Sequence, residues 1–169
     1  MRVARLGAVI ALVVIVQVTV FPHLRVAGVA PELGLIVAIA VGYQLGPEAG
    51  ALTGFVAGFA FGLFLEVPLG LNALAYALVG YGVGVFEGGL MRAPRGLPIV
   101  LAALGGIAGG LILIAVGVLV GVESVKGIHG IETISIAALY DALLAPLVFL
   151  LVILAIGRDT PARSPWSGP

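Results

Sequence analysis

Apolar residues along this chain come in long unbroken runs, not in strand-like alternation. Short clusters of Pro, Gly and charged residues separate six runs: Leu6 to Phe21, Glu32 to Leu45, Glu48 to Leu65, Leu69 to Phe86, Leu97 to Val120 and Ile134 to Ile156. A helix that crosses a bilayer takes about 20 mostly apolar residues, with a range of about 17 to 25. The runs come close to that length, the second being the shortest, and they predict six spanning helices. The first run has a rival reading as a cleaved signal peptide. Arg2 and Arg5 precede its apolar core, and Gly28-Val29-Ala30 offers a small-x-small site. Five helices would then follow.

Composition points the same way. Of 169 residues, 62% are hydrophobic and 9% are charged, with a mean hydropathy of +1.28. A soluble domain carries about 25% charged residues, so this chain could not cover its surface against water. The fold class expected is an all-α integral membrane protein. Eight basic and eight acidic residues cancel, which leaves no polybasic surface for nucleic acid. Cysteine is absent, removing disulfides and thiol chemistry. His23 and His129 fall in predicted loops and lack HxxxH or HExxH spacing, so no metal site is expected.

Charge also orients the bundle. With the N-terminus in the cytoplasm, Arg2, Arg5, Arg92, Arg95, Arg158 and Arg163 lie inside, while Arg25 and Lys126 lie outside. This agrees with the positive-inside rule and supports an even number of spans. Both termini are then cytoplasmic. The largest predicted loops are Val122 to Thr133 outside and Glu87 to Gly96 inside. Residues 1–157 read as one transmembrane domain, and 158–169, ending RDTPARSPWSGP, as a disordered cytoplasmic tail.

Glycine spacing predicts how the helices pack. Gly50, Gly54, Gly58 and Gly62 stand four apart on the third helix, giving three overlapping GxxxG units. Residues four apart share a face, so another backbone can approach closely there. Gly80, Gly84 and Gly88 continue the pattern on the fourth helix, whose face also holds Asn72 and Tyr76. On the fifth, Gly105 pairs with Gly109 and Gly106 with Gly110. Packing inside the bundle and a surface for a partner's transmembrane helix both fit this pattern.

Few polar residues lie in or near the runs. Glu66 ends the third helix at the expected outer surface. A charge at a helix centre costs about 2.5 to 3.5 kcal/mol on insertion scales, and less near an interface. An acid held among headgroups is one account of it; closing a turn is the other. Pro68 stops the third helix, Gly70 permits a sharp turn, and Glu66 accepts hydrogen bonds from amides opening the fourth. Asn72 reaches the same turn or bonds across to another helix. Asp141, beside Tyr140 in the sixth helix, is the costliest residue. No Lys or Arg occupies a helix interior, so its partner is a Tyr hydroxyl, an Asn amide or a backbone donor, or the carboxyl is protonated. An interhelical hydrogen bond and a ligand or proton site both remain open. Pro146 should kink the same helix and free a carbonyl.

Catalytic constellations are missing. No nucleophile stands by a His base, no carboxylates pair at close helical spacing, and no GxxxxGK appears. Glu123 and Glu132 flank His129 in what reads as a solvated outer loop. The protein is not expected to be an enzyme or to need a cofactor.

Four segments in order resemble the rod shape-determining protein MreD family over nearly the whole chain. RLGAVIALVVIVQVTVFPHL is similar to the family's first helix, with a Gln, an apolar turn and Pro. APELGLIVAIAVGYQLGPEAGALTGFVAGFAFGLFLE resembles the block in which Pro-Asp-Leu leads helix 2 and a Gly-rich helix 3 ends in an acid. EVPLGLNALAYALVGYGVG resembles an acid followed by a Pro-Leu-Gly turn and an apolar helix. ALYDALLAPLVFLLV looks like the last helix. Two departures are visible: Asp is more usual where Glu32 and Glu66 stand, and Asn where Asp141 stands.

The resemblance implies a small non-enzymatic subunit of the cell-wall elongation machinery, in a bacterial inner membrane. Family members are thought to work with the single-span protein MreC. Through it they are linked to MreB filaments, a class B penicillin-binding transpeptidase and a RodA-type glycosyltransferase. The family's fold resembles the six-helix substrate-binding subunits of energy-coupling factor transporters. That likeness supplies an alternative, a vitamin-binding subunit with Asn72, Tyr76, Tyr140 and Asp141 lining an outward cavity. Its transmembrane partner would dock on the small residues Ala4, Gly7, Ala8 and Ala11. A channel or carrier is a third reading, but it asks for more polar groups through the bilayer than the sequence offers.

Overall fold

The six runs fold as six helices. In the computed structural model, residues 2–20, 23, 29–64, 70–87, 96–121 and 129–156 are described. They form α1 (Arg2–Thr19), α2 (Leu33–Leu45), α3 (Pro47–Gly62), α4 (Leu71–Glu87), α5 (Leu97–Val120) and α6 (His129–Ile156). The limits of α5 are those predicted. Two starts differ in substance, and one is that of α1, at Arg2 instead of Leu6. His129 and Glu132 belong to α6 and not to a loop, because a helix can continue beyond the apolar stretch that marks its place in lipid. Glu66, Pro68, Gly88 and the tail 158–169 lie outside the described residues, as do Arg25, Arg92, Arg95 and Lys126 of the charge argument.

Helix α2 is the axis of the bundle. It packs against all five other helices, and Leu33 through Gly42 are buried, with Leu35, Ile36, Val37, Ala38, Ile39, Ala40 and Val41 fully so. A helix apolar on every side belongs in an interior. Its 13 residues span about 20 Å, short of a hydrocarbon core about 30 Å thick. Gly46 alone joins it to α3. Its φ of 93° suits a residue without a β-carbon, and Pro47 then opens α3 at a position where a missing N–H costs nothing.

Helices α3 and α4 make the closest pair, along the glycine face. A β-carbon added at Gly58 would stand 2.5 Å from the Asn72 carbonyl oxygen, and one at Gly54 would strike the Tyr76 carbonyl. Gly50 meets Gly80 in the same way, and Gly84 meets Pro47. The α4 positions 72, 76, 80 and 84 therefore form one strip, pressed backbone to backbone on α3. In lipid such van der Waals contact, together with hydrogen bonds, replaces the hydrophobic effect as the packing force. This seam is internal packing. Gly62 is the exception: the position is buried, but among the described residues nothing lies within 4 Å of a β-carbon there. On α5 the two glycine pairs serve different neighbours, with Val79 of α4 also packed on the first pair. Gly105 and Gly109 receive Ile39 and Leu35 of α2, while Gly106 and Gly110 face Ala138 and Ile134 of α6.

The outer surface is apolar. Phe55, Phe59, Leu119, Leu143 and Leu154 are among many exposed large hydrophobic residues, and the Phe55 and Phe59 rings stack with centroids 6.1 Å apart. Two helical stretches, Ile99–Leu119 and Ile134–Ile156, are long and apolar enough by themselves to cross a membrane; Ala4–Thr19, Leu33–Leu45 and Leu71–Phe86 are shorter apolar stretches. An apolar groove of about 360 Å³ opens between α1 and α3, lined by Gly7, Ile10, Ala11 and Val14 on one side and Val56 and Ala60 on the other.

Candidate functional site

Helix α2 is buried from Leu33 through Gly42, and side chains of other helices meet the amides that open it. The first amides of any helix lack intrahelical acceptors, and two other helices supply them here. Gln17, near the end of α1 and 4% exposed, accepts from the Gly34 N–H at 3.2 Å and donates through Nε2 to the Pro31 carbonyl at 2.9 Å. Asp141 of α6, 1% exposed, accepts from the Glu32 N–H through Oδ1 at 2.8 Å. The backbone donor is one of the partners the sequence allows for Asp141. Its carboxyl also lies at the positive end of the α2 dipole, which favours negative charge.

Glycines make room for this cluster. The Tyr76 ring of α4 lies over Gly34, its Cε2 3.2 Å from where a β-carbon would sit. Asp141 Oδ2 lies 3.1 Å from the corresponding point at Gly106 of α5. The Tyr76 hydroxyl is within electrostatic reach of both Glu32 and Asp141. It makes no hydrogen bond among the described residues. Five helices, α1, α2, α4, α5 and α6, thus converge on one point. Because α6 begins at His129, Asp141 lies about 18 Å along it and about 22 Å from its end, nearer the middle than the apolar run alone implied.

The other sequence candidates are spread out. Gly70 has φ 99° and its carbonyl accepts the Leu74 N–H at 2.8 Å, so it does turn the chain into α4. Asn72 is buried on the α3 side of α4, and its Nδ2 makes no hydrogen bond among the described residues. Tyr140 is half-buried beside Asp141 in sequence. Pro146 lies inside α6 on an exposed face. Among the described residues no group of three or more His, Cys, Asp and Glu could hold a metal ion. Gln17 and Glu32 were not singled out from sequence as site residues. The available signals were an isolated amide in an apolar helix, and an acid directly after Pro31 at the head of a run too short to span.

An apolar exterior around a polar point buried at the head of a central helix defines an all-helical membrane protein. No curated protein and no solved structure matches the chain. The family model for rod shape-determining protein MreD matches residues 3–155, and the chain belongs to that family. Membership ties it to rod-shape determination.

Proposed function

We propose that the chain is a non-enzymatic scaffold subunit of the bacterial cell-wall elongation complex, held in the cytoplasmic membrane by six spans with both termini inside. It binds MreC and through it influences MreB filaments, the RodA-type glycosyltransferase and the class B penicillin-binding transpeptidase. The family match over residues 3–155 carries this reading. The interior supports it: glycine seams and a capped central helix make a rigid body whose exposed faces, the α1–α3 groove included, are apolar and suited to lipid or a partner's helix. The likeness to energy-coupling factor substrate-binding subunits belongs to the same proposal at the level of architecture only. A vitamin-binding role needs open space beside Asn72, Tyr76 and Asp141, and these are 6%, 1% and 1% exposed.

Native purification of the tagged chain in mild detergent, with mass spectrometry of what accompanies it, tests the reading. MreC and cell-wall synthases are expected. Transporter ATPase subunits or a stoichiometric vitamin in their place would overturn it. The topology has its own test, which the cysteine-free sequence makes clean. A single cysteine at Arg163 should react with a membrane-impermeant maleimide only after cells are opened, and one at Glu123 should react in cells whose outer barrier alone is breached. The reverse pattern would invert the bundle.

A further inference from the structure

Around α2 the outer helices pack in the order α1, α3, α4, α5, α6 and back to α1. The α3–α4 pair and the α5–α6 pair therefore form different sides of the ring, and the two sides differ in height. At about 1.5 Å per residue, the 16 residues of α3 and 17 of α4 rise about 24 and 26 Å. The 24 of α5 and 28 of α6 rise about 36 and 42 Å. Exposure repeats the difference. Large outward apolar residues run from Ile99 to Leu119 on α5, about 30 Å, but only from Leu74 to Phe86 on α4, about 18 Å. On α3 the run from Leu52 to Leu63 is no longer than that. A hydrocarbon core about 30 Å thick suits α5 and overshoots the α3–α4 wall. Acids also mark where that wall stops. Glu48 stands in the first turn of α3 and Glu87 ends α4, at the same end of the pair, and Glu66 separates the two helices in sequence. No Lys or Arg occurs from 47 to 87, so no long basic stem reaches from this wall to distant headgroups. A helix too long for its bilayer can tilt, whereas one too short draws the bilayer thinner beside it.

We propose that the α3–α4 wall is a binding surface for phospholipids with short acyl chains, so that the bilayer is thinned along that side and of ordinary thickness along α5. A short chain lets headgroups meet both ends of the wall. A long one carries them past Glu48 and Glu87 and leaves both acids in hydrocarbon, where charge is costly. The inference rests on the six-span reading above and not on MreC binding.

The test uses the full chain with its single tryptophan, Trp166, changed to Phe and one new tryptophan facing lipid, by Leu78→Trp on α4 or Leu111→Trp on α5. These positions are 49% and 55% exposed and lie near the middle of their helices. Each variant is placed in vesicles of brominated 18-carbon phosphatidylcholine, a fluorescence quencher, diluted with the 14-carbon or the 22-carbon lipid. At position 78 the 14-carbon lipid should displace the quencher roughly three times as well as the 22-carbon lipid, the advantage expected for several Å of mismatch. At position 111 the two should differ by less than about 1.5-fold. Equal preferences at the two positions, or a stronger preference for short chains at 111, would overturn the proposal and leave the six spans standing. No quenching at either position in pure brominated lipid would overturn both. Should a tryptophan variant fail to fold, the unfolding temperature of the unaltered chain decides. It should fall from 14-carbon to 22-carbon vesicles, and a constant or rising value would overturn the proposal.

Discussion

Gly58→Leu is expected to yield no folded protein, whereas Gly82→Leu, at a half-buried position of α4, should fold and function. At Gly58 the obstruction begins with the first atom of the side chain. A β-carbon would lie 2.5 Å from the Asn72 carbonyl oxygen and 2.6 Å from its carbon, and both are backbone atoms that no rotamer change can move. Overpacking a core by a few methylenes costs about 1 to 3 kcal/mol when side chains can adjust. Here α3 and α4 must separate along a seam that also carries Gly50, Gly54, Gly80 and Gly84, so the cost should exceed that range. Gly82 has nothing within 4 Å of its β-carbon position among the described residues. Expression followed by size-exclusion chromatography in mild detergent separates the outcomes. Equal, monodisperse yields of both variants would mean that α3 and α4 do not meet along this face.

Gln17→Leu should cost about 2 to 4 kcal/mol of stability, through groups on another helix. The substitution strands the Gly34 N–H and the Pro31 carbonyl, both left without their side-chain partner. An unsatisfied buried polar group costs about 1 to 3 kcal/mol. In lipid no water stands by to take over. Leu12→Ala, on the exposed side of the same helix at 52% exposure, is the control and should change stability by less than about 0.5 kcal/mol. Unfolding in nanodiscs at one fixed pH measures both. A Gln17→Leu protein as stable as its control would show that α1 does not cap α2.

How far the sequence could be read depended on the range of each interaction. Helix positions were legible because apolar length is written locally, and α5 was placed to the residue. The α3 seam was legible because residues four apart share a face whatever lies opposite. What lay opposite was not legible, and Gly62 shows the limit: it has the spacing of its neighbours, and no described helix lies against it. The polar site was harder still. Glu66 stands out through its Pro and Gly company but lies outside the described residues; among the described ones, the backbone amide that meets Asp141 is that of Glu32. Only the shortness of the run after Glu32 hinted that its helix starts below the surface. The Glu32 amide and the Asp141 carboxylate are 109 residues apart, and no local pattern encodes such a meeting.

That separation has a consequence for the order in which the molecule is made. Helix α2 leaves the ribosome early, and α6 is the last of the described helices to follow. Until α6 arrives, α2 has Gln17 behind it and nothing to receive the Glu32 amide, and the Gly105 and Gly109 hollows that seat its Ile39 and Leu35 are not yet in place before α5. The innermost helix is therefore completed from the outside in, by chain synthesised long after it. A ribosome that stops short of Asp141 leaves a bundle open at its own centre.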